Sequence, residues 1–146
     1  MESYVNHREV ISRNEFVSCT AFQIVEDLPG DTFPIKDGSS KILKITPKGE
    51  ITVVNIDFSD ILGLAFDSQG RLYELENTTG NPFPTPGSGM ILRIDGKHNY
   101  TVIASGLTLP TAMTFGPDGN LYVSNVGFGP PPVGAGQILK VVVPAN

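Results

Sequence analysis

The chain has 146 residues, about one domain's worth, with 40% hydrophobic and 17% charged residues. Its 16 Gly and 12 Pro imply many turns and few helices, and a formal charge of −5 excludes the basic footprint of a nucleic-acid binder. A single cysteine excludes an internal disulfide and any CxxC or Cys/His metal pattern, and no stretch approaches the roughly 18 apolar residues of a membrane helix.

Residues 1–37 match no repeating unit and form a separate, poorly assigned N-terminal segment. Their opening, MESYVNHREVISRNEFVSC, lacks the basic region and continuous apolar stretch of a signal peptide. His7 reads as a surface residue, and Cys19, within FVSCTAF, as a buried thiol.

From residue 38 to 146 the pattern turns to short strands bounded by turn-formers. In chain order they are ILKI (42–45), GEITVVNI (49–56), LGLAF (62–66), RLYEL (71–75), ILRID (91–95), NYTVIAS (99–105), TAMTF (111–115), NLYVS (120–124) and ILKVV (138–142). The order repeats. ILKI returns as ILRI at an offset of 49 and as ILKV at a further 47, while Phe66, Gly70, Leu72 and Tyr73 return as Phe115, Gly119, Leu121 and Tyr122 at an offset of 49. Four short antiparallel strands per 47–49 residues match one propeller blade, a sheet that must stack on its neighbours to cover its faces. The expected fold is all-β: fewer than three blades, at 41–56, 61–105 and 108–143, of a six-bladed β-propeller. Such an arc is a fragment of a longer protein, a ring completed by self-association through exposed blade edges, or a partial arc with an open edge.

Between the first two strands of a unit lies DSQG (67–70) or GPDG (116–119). Pro117 pre-sets φ and the closing glycine allows positive φ, so turn geometry explains the motif. Asp118 stands where the sister copy has Gln69, which argues against a metal ligand, and the alternating oxygen pattern of a calcium loop is absent. Asp57 and Asp60 flank Phe58-Ser59 and border a turn. His98 is a turn residue, and neither Ser-His-Asp spacing nor a nucleophile elbow is present. Asn77-Thr78-Thr79 is formally a glycosylation sequon, meaningful only in a secreted eukaryotic protein.

The loops after the second strand, NTTGNPFPTPGSG (77–89) and GFGPPPVGAG (127–136), are rich in Gly and Pro. Pro130–Pro132 run as a stiff extended segment between glycines. Loops on one rim of a repeat fold form binding faces, which makes Phe83, Phe128 and the nearby Asn125 candidate contacts for a small molecule or protein. The two phenylalanines equally suit plugging gaps between blades.

Units 61–105 and 108–143 resemble blades of six-bladed propellers of the NHL and gluconolactonase/strictosidine-synthase type, in GLAFDSQGRLY and AMTFGPDGNLYVSN followed by ILRID or ILKVV. The C-terminal FGPDGNLYVSNVGFGPPPVGAGQILKVVVP more narrowly resembles the end of ScyD/ScyE family proteins, known from cyanobacterial gene clusters for scytonemin. The resemblance spans residues 38–143. It names relatives that are longer and often carry an export signal, so it favours a fragment and leaves the location open. It implies no defined activity. In gluconolactonase-type propellers it implies a divalent cation such as Ca²⁺ in the central channel, held by Glu, Asn and Asp from different blades. Glu74, Glu76, Asn77, Ser124 and Asn125 are the polar groups at strand ends, and Glu76 with Asn125 could supply two such ligands. The alternative is that they satisfy backbone groups of the loops. Three functions follow as expectations: a non-catalytic module with no cofactor, a metal-dependent lactonase-like hydrolase, or a truncated product without independent activity.

Overall fold

In the computed structural model the alternating segments form antiparallel strands, with no helix among the described residues, which are 15–19, 40–46, 48–80, 84–127 and 134–144. The first sheet has the order β1 (Glu15–Cys19), β2 (Ser40–Ile45), β3 (Ile51–Phe58). The second is β4 (Ile61–Phe66), β5 (Leu72–Glu76), β6 (Gly89–Gly96), β7 (Asn99–Leu107). The third is β8 (Ala112–Phe115), β9 (Leu121–Asn125), β10 (Gln137–Val141). Every strand pairs with its sequence neighbour, the meander that short turns dictate. β1 comes from the N-terminal segment that carries no visible repeat; its backbone pairs with β2, Val17 opposite Leu43.

The turns repeat bond for bond. In the second sheet Asp67 N–H donates to Arg71 O (3.1 Å) and Gly70 N–H to Asp67 O (3.0 Å); in the third, Gly116 N–H donates to Asn120 O (2.8 Å) and Gly119 N–H to Gly116 O (3.0 Å). Gly70 and Gly119 sit at φ +78° and +74°, the left-handed region where a side chain is strained.

A period of two sends alternate residues of each strand to opposite faces, and here both faces of the middle sheet are covered. Leu64, Leu72 and Leu92 on its rear face, with Ile61, pack against Ile42 and Phe58 of the first sheet. Ala65, Tyr73, Leu75 and Ile91 on its front face, with Leu107, pack against Met113, Leu121 and Val123 of the third. All five residues of β5 are therefore buried. Full burial of each Leu or Ile is worth about 1.5–3 kcal/mol, so these two interfaces carry most of the stabilisation. Tyr73 adds an edge-on contact to the Phe115 ring, 5.0 Å between centroids at 76°.

Polar clamps fix the sheets in register. Asn55 of the first sheet accepts from His98 N–H (3.2 Å) and donates to Gly96 O (3.5 Å), at the β6–β7 turn. Asn77 donates to Pro110 O (2.7 Å), ahead of the third sheet. At Gly89 the backbones come so close that a Cβ would lie 2.7 Å from Pro110 Cδ and 2.8 Å from Asn77 O. Only glycine fits there.

Candidate functional site

Glu76 and Asn125, the two expected cation ligands, close the second strand of their respective sheets. Each is buried and each accepts a backbone hydrogen bond: Glu76 Oε1 from Ser59 N–H at 2.7 Å, Asn125 Oδ1 from Thr108 N–H at 2.8 Å. Both donors precede the first strand of the same sheet, and the donor–acceptor separation is 17 residues in each. Asn125 Nδ2 donates in turn to Gln137 Oε1 (3.0 Å), which sets the orientation of its amide. These side chains thus do the same structural task in two sheets. Among the described residues no three of His, Cys, Asp or Glu are grouped so as to hold a metal ion.

The turn carboxylates follow a similar economy. In the second sheet Asp67 Oδ1 accepts from the N–H groups of Gln69 and Arg71 (2.9 Å each), while Oδ2 accepts from Arg71 Nε (2.6 Å) and Tyr73 Oη (3.3 Å). In the third sheet the carboxylate moves two positions along: Asp118 accepts from Asn120 N–H (3.2 Å), Tyr122 Oη (3.0 Å) and Lys140 Nζ (2.8 Å). One tyrosine and one cation are satisfied either way. A Cβ at position 116 would lie 2.5 Å from the Tyr122 ring and 2.9 Å from Asp118 Oδ1, so any other residue there would make those side chains shift. Burial works against ionised Asp67, but bonds from Arg71 and Gln69 outweigh it and hold its carboxyl below the ordinary value. The bond from Lys140, aided by Asn120, holds Asp118 well below that range.

Two further carboxyls behave oppositely. Glu74 is 0% exposed, and neither of its oxygens has a hydrogen-bond partner. It sits mid-strand on the rear face, opposite Leu64 on β4 and Leu92 on β6. Burial, and next the charge of Glu76, push it well above the ordinary carboxylate value. Burial also pushes Asp60 up to about 6. Sequence reasoning placed Glu74 among strand-end groups; the alternation Leu72-Glu74-Glu76 is the signal that assigns it to an inward face.

The loop at 77–89 is knotted by hydroxyls: Thr79 N–H donates to Ser88 Oγ (2.9 Å), Ser88 Oγ to Thr85 O (2.7 Å), and Thr85 N–H to Thr78 Oγ1 (2.9 Å). Phe83, Phe128 and Pro130–Pro132 lie outside the described residues, as do His7 and the Cys19 side chain. His98 occupies the β6–β7 turn at φ 57°, its Nδ1 3.6 Å from Asp57 Oδ2.

No family model matches this chain, and no curated protein matches it either. Among the solved structures that match is a luciferin-regenerating enzyme, with a TM-score of 0.55 and 14% identity over 82% of this chain and 38% of that one. Another is a protein assigned as a gluconolactonase, with a TM-score of 0.50 and 16% identity over 94% of this chain and 47% of that one. The sheets are propeller blades. At such identities the likeness is one of fold, shared with propeller-type enzymes, and the chain spans less than half the length of either. Among the described residues the middle sheet is a four-stranded blade flanked by two three-stranded ones, with β4 of the middle sheet and β8 of the third side by side.

Proposed function

We propose that this chain is a non-catalytic β-propeller module, ScyD/ScyE-like in its C-terminal blade, that binds a small molecule or protein through its rim loops. The observation that carries this reading is the matched pair of bonds from Ser59 N–H to Glu76 and from Thr108 N–H to Asn125. Side chains at the two positions best placed for a cation each accept a bond from their own blade, which supports a structural role for them. The binding face comprises the 77–89 and 127–136 loops, with Phe83 and Phe128 as aromatic contacts and Asn125 at the base of the second loop. Threonine–serine hydrogen bonds tie the described parts of the first loop, Thr78 and Thr79 to Thr85 and Ser88, which supports a pre-ordered loop base.

A metal-dependent, lactonase-like hydrolase is the second reading, favoured by the burial of Asp60, Glu74 and Glu76 on one blade and the raised protonation of the first two. One experiment separates the two. The module reading expects Ca²⁺ and chelator to leave Tm unchanged and a lactone panel to remain unhydrolysed. It also expects aromatic small-molecule hits in ligand-observed screening to be lost in Phe83→Ala and Phe128→Ala. A Ca²⁺-dependent rise in Tm that Glu76→Gln abolishes, with lactone turnover, would establish the hydrolase instead.

A further inference from the structure

We propose that the front flank of the third blade is an interface for the rear flank of the first blade of a second copy of this chain. Two copies would thereby close one ring.

Within the chain, front faces meet rear faces twice. Ile42 of the first blade lies against Leu92 of the second, and Ile91 of the second against Leu121 and Val123 of the third. Ile42, Ile91 and Ile138 head the three copies of one motif and share one register position. The first two are 0% exposed under the neighbouring blade; Ile138 is 73% exposed. Tyr73 is likewise buried whereas its counterpart Tyr122 is only half-buried, on the same flank as Ile138. At the other end, Leu43 and Ile45 correspond to Leu92 and Ile94, the rear residues that the first blade covers on the second. In the first blade they are only half-buried, and beside them on β3 stand Val53, paired with Leu43, and Ile51, paired with Ile45, 48% and 64% exposed. One free flank therefore presents the residues of a front face and the other those of a rear face.

A second copy fits both. The described residues form three sheets, and the flanks left open at the two ends carry the same front and rear residues that already meet between blades within the chain. A two-fold axis makes the same front-to-rear contact twice and leaves neither flank free, which is what closure of a cyclic pair requires. The free front flank is wetter than its internal model, with Thr114 and Ser124 where the second blade has Ala65 and Leu75. Those two polar residues make the pair weaker than the interfaces within the chain and therefore reversible.

Sedimentation of the 146-residue chain over about 1–200 µM tests this directly. The mass should rise from 15.6 kDa to twice that value and stop. Ile138→Asp and Val53→Asp should each weaken dimerisation at least about 10-fold, whereas Tyr100→Asp, outside both flanks, should not. In the unmutated chain, amide exchange should slow on β2, β3 and β8–β10 as concentration rises, a readout that needs no variant to fold. A monomer at every concentration, a dimer insensitive to both flank variants, or an open ladder of masses would each overturn the proposal.

Discussion

Glu74 lies between Leu64 and Leu92 on the rear face of the four-stranded blade, with two carboxylate oxygens that no donor reaches. A charge there has lost its water without gaining a partner, so the proton stays on. The sign of the consequence follows. The folded chain holds this proton to higher pH than the unfolded chain, so stability falls as pH rises through the unfolded carboxylate value and stops falling above the folded one. Asp60 adds a similar decline that ends near pH 6. Urea denaturation between pH 4 and 8 should show this slope in the native chain. Glu74→Met, apolar and of similar shape, should stabilise at pH 7 by about 1–3 kcal/mol and flatten the slope. Glu74→Gln should flatten it too, with less gain, because its amide still lacks partners. A Glu74→Met variant less stable than the native chain at pH 7 would refute the assignment.

At the scale of elements, the blade is a device for closing its own ends. A turn bonded between its first and fourth residues joins strands one and two, a carboxylate ties the tyrosine and a cation at the turn, and the last side chain of strand two accepts an amide from the segment entering strand one. Alanine at Glu76 or Asn125 should each cost about 1–3 kcal/mol by removing the acceptor of a buried (Ser59) or partly buried (Thr108) N–H, read as a lower urea midpoint with unchanged slope. Glu76→Gln, which keeps an acceptor oxygen, should recover most of that loss. If neither alanine variant moved the midpoint, these bonds would contribute nothing to the blade. The strands and turns of the second and third blades were readable from Phe, Gly, Leu and Tyr recurring at one offset. The bonds of Glu76 and Asn125 were not, because donor and acceptor lie 17 residues apart and only the folded hairpin brings them together. β1 escaped notice for a related reason: EFVSC carries neither the Leu-Tyr pair nor the glycine turn, and pairing with β2 alone reveals it.

At the scale of the whole molecule, the described sheets carry apolar residues on both end flanks that no other described sheet covers. A dimer that binds folded chain and not unfolded chain adds stability by mass action, so Tm should rise with protein concentration, and Ile138→Asp should remove that rise. Concentration-independent melting of the native chain would count against the paired ring. The amino-acid sequence by itself determined where strands and turns fall, since a period of two and a glycine at positive φ are local properties of a few consecutive residues. It also determined that these strands group into repeating units, because a sheet with two apolar faces requires neighbours. Only the tertiary structure decided which two of three equivalent isoleucines are covered, which carboxyl favours its protonated form, and which polar side chains are committed to the backbone. Those outcomes depend on what packs against a face or reaches an atom across the fold, and that is set by residues far away in the chain.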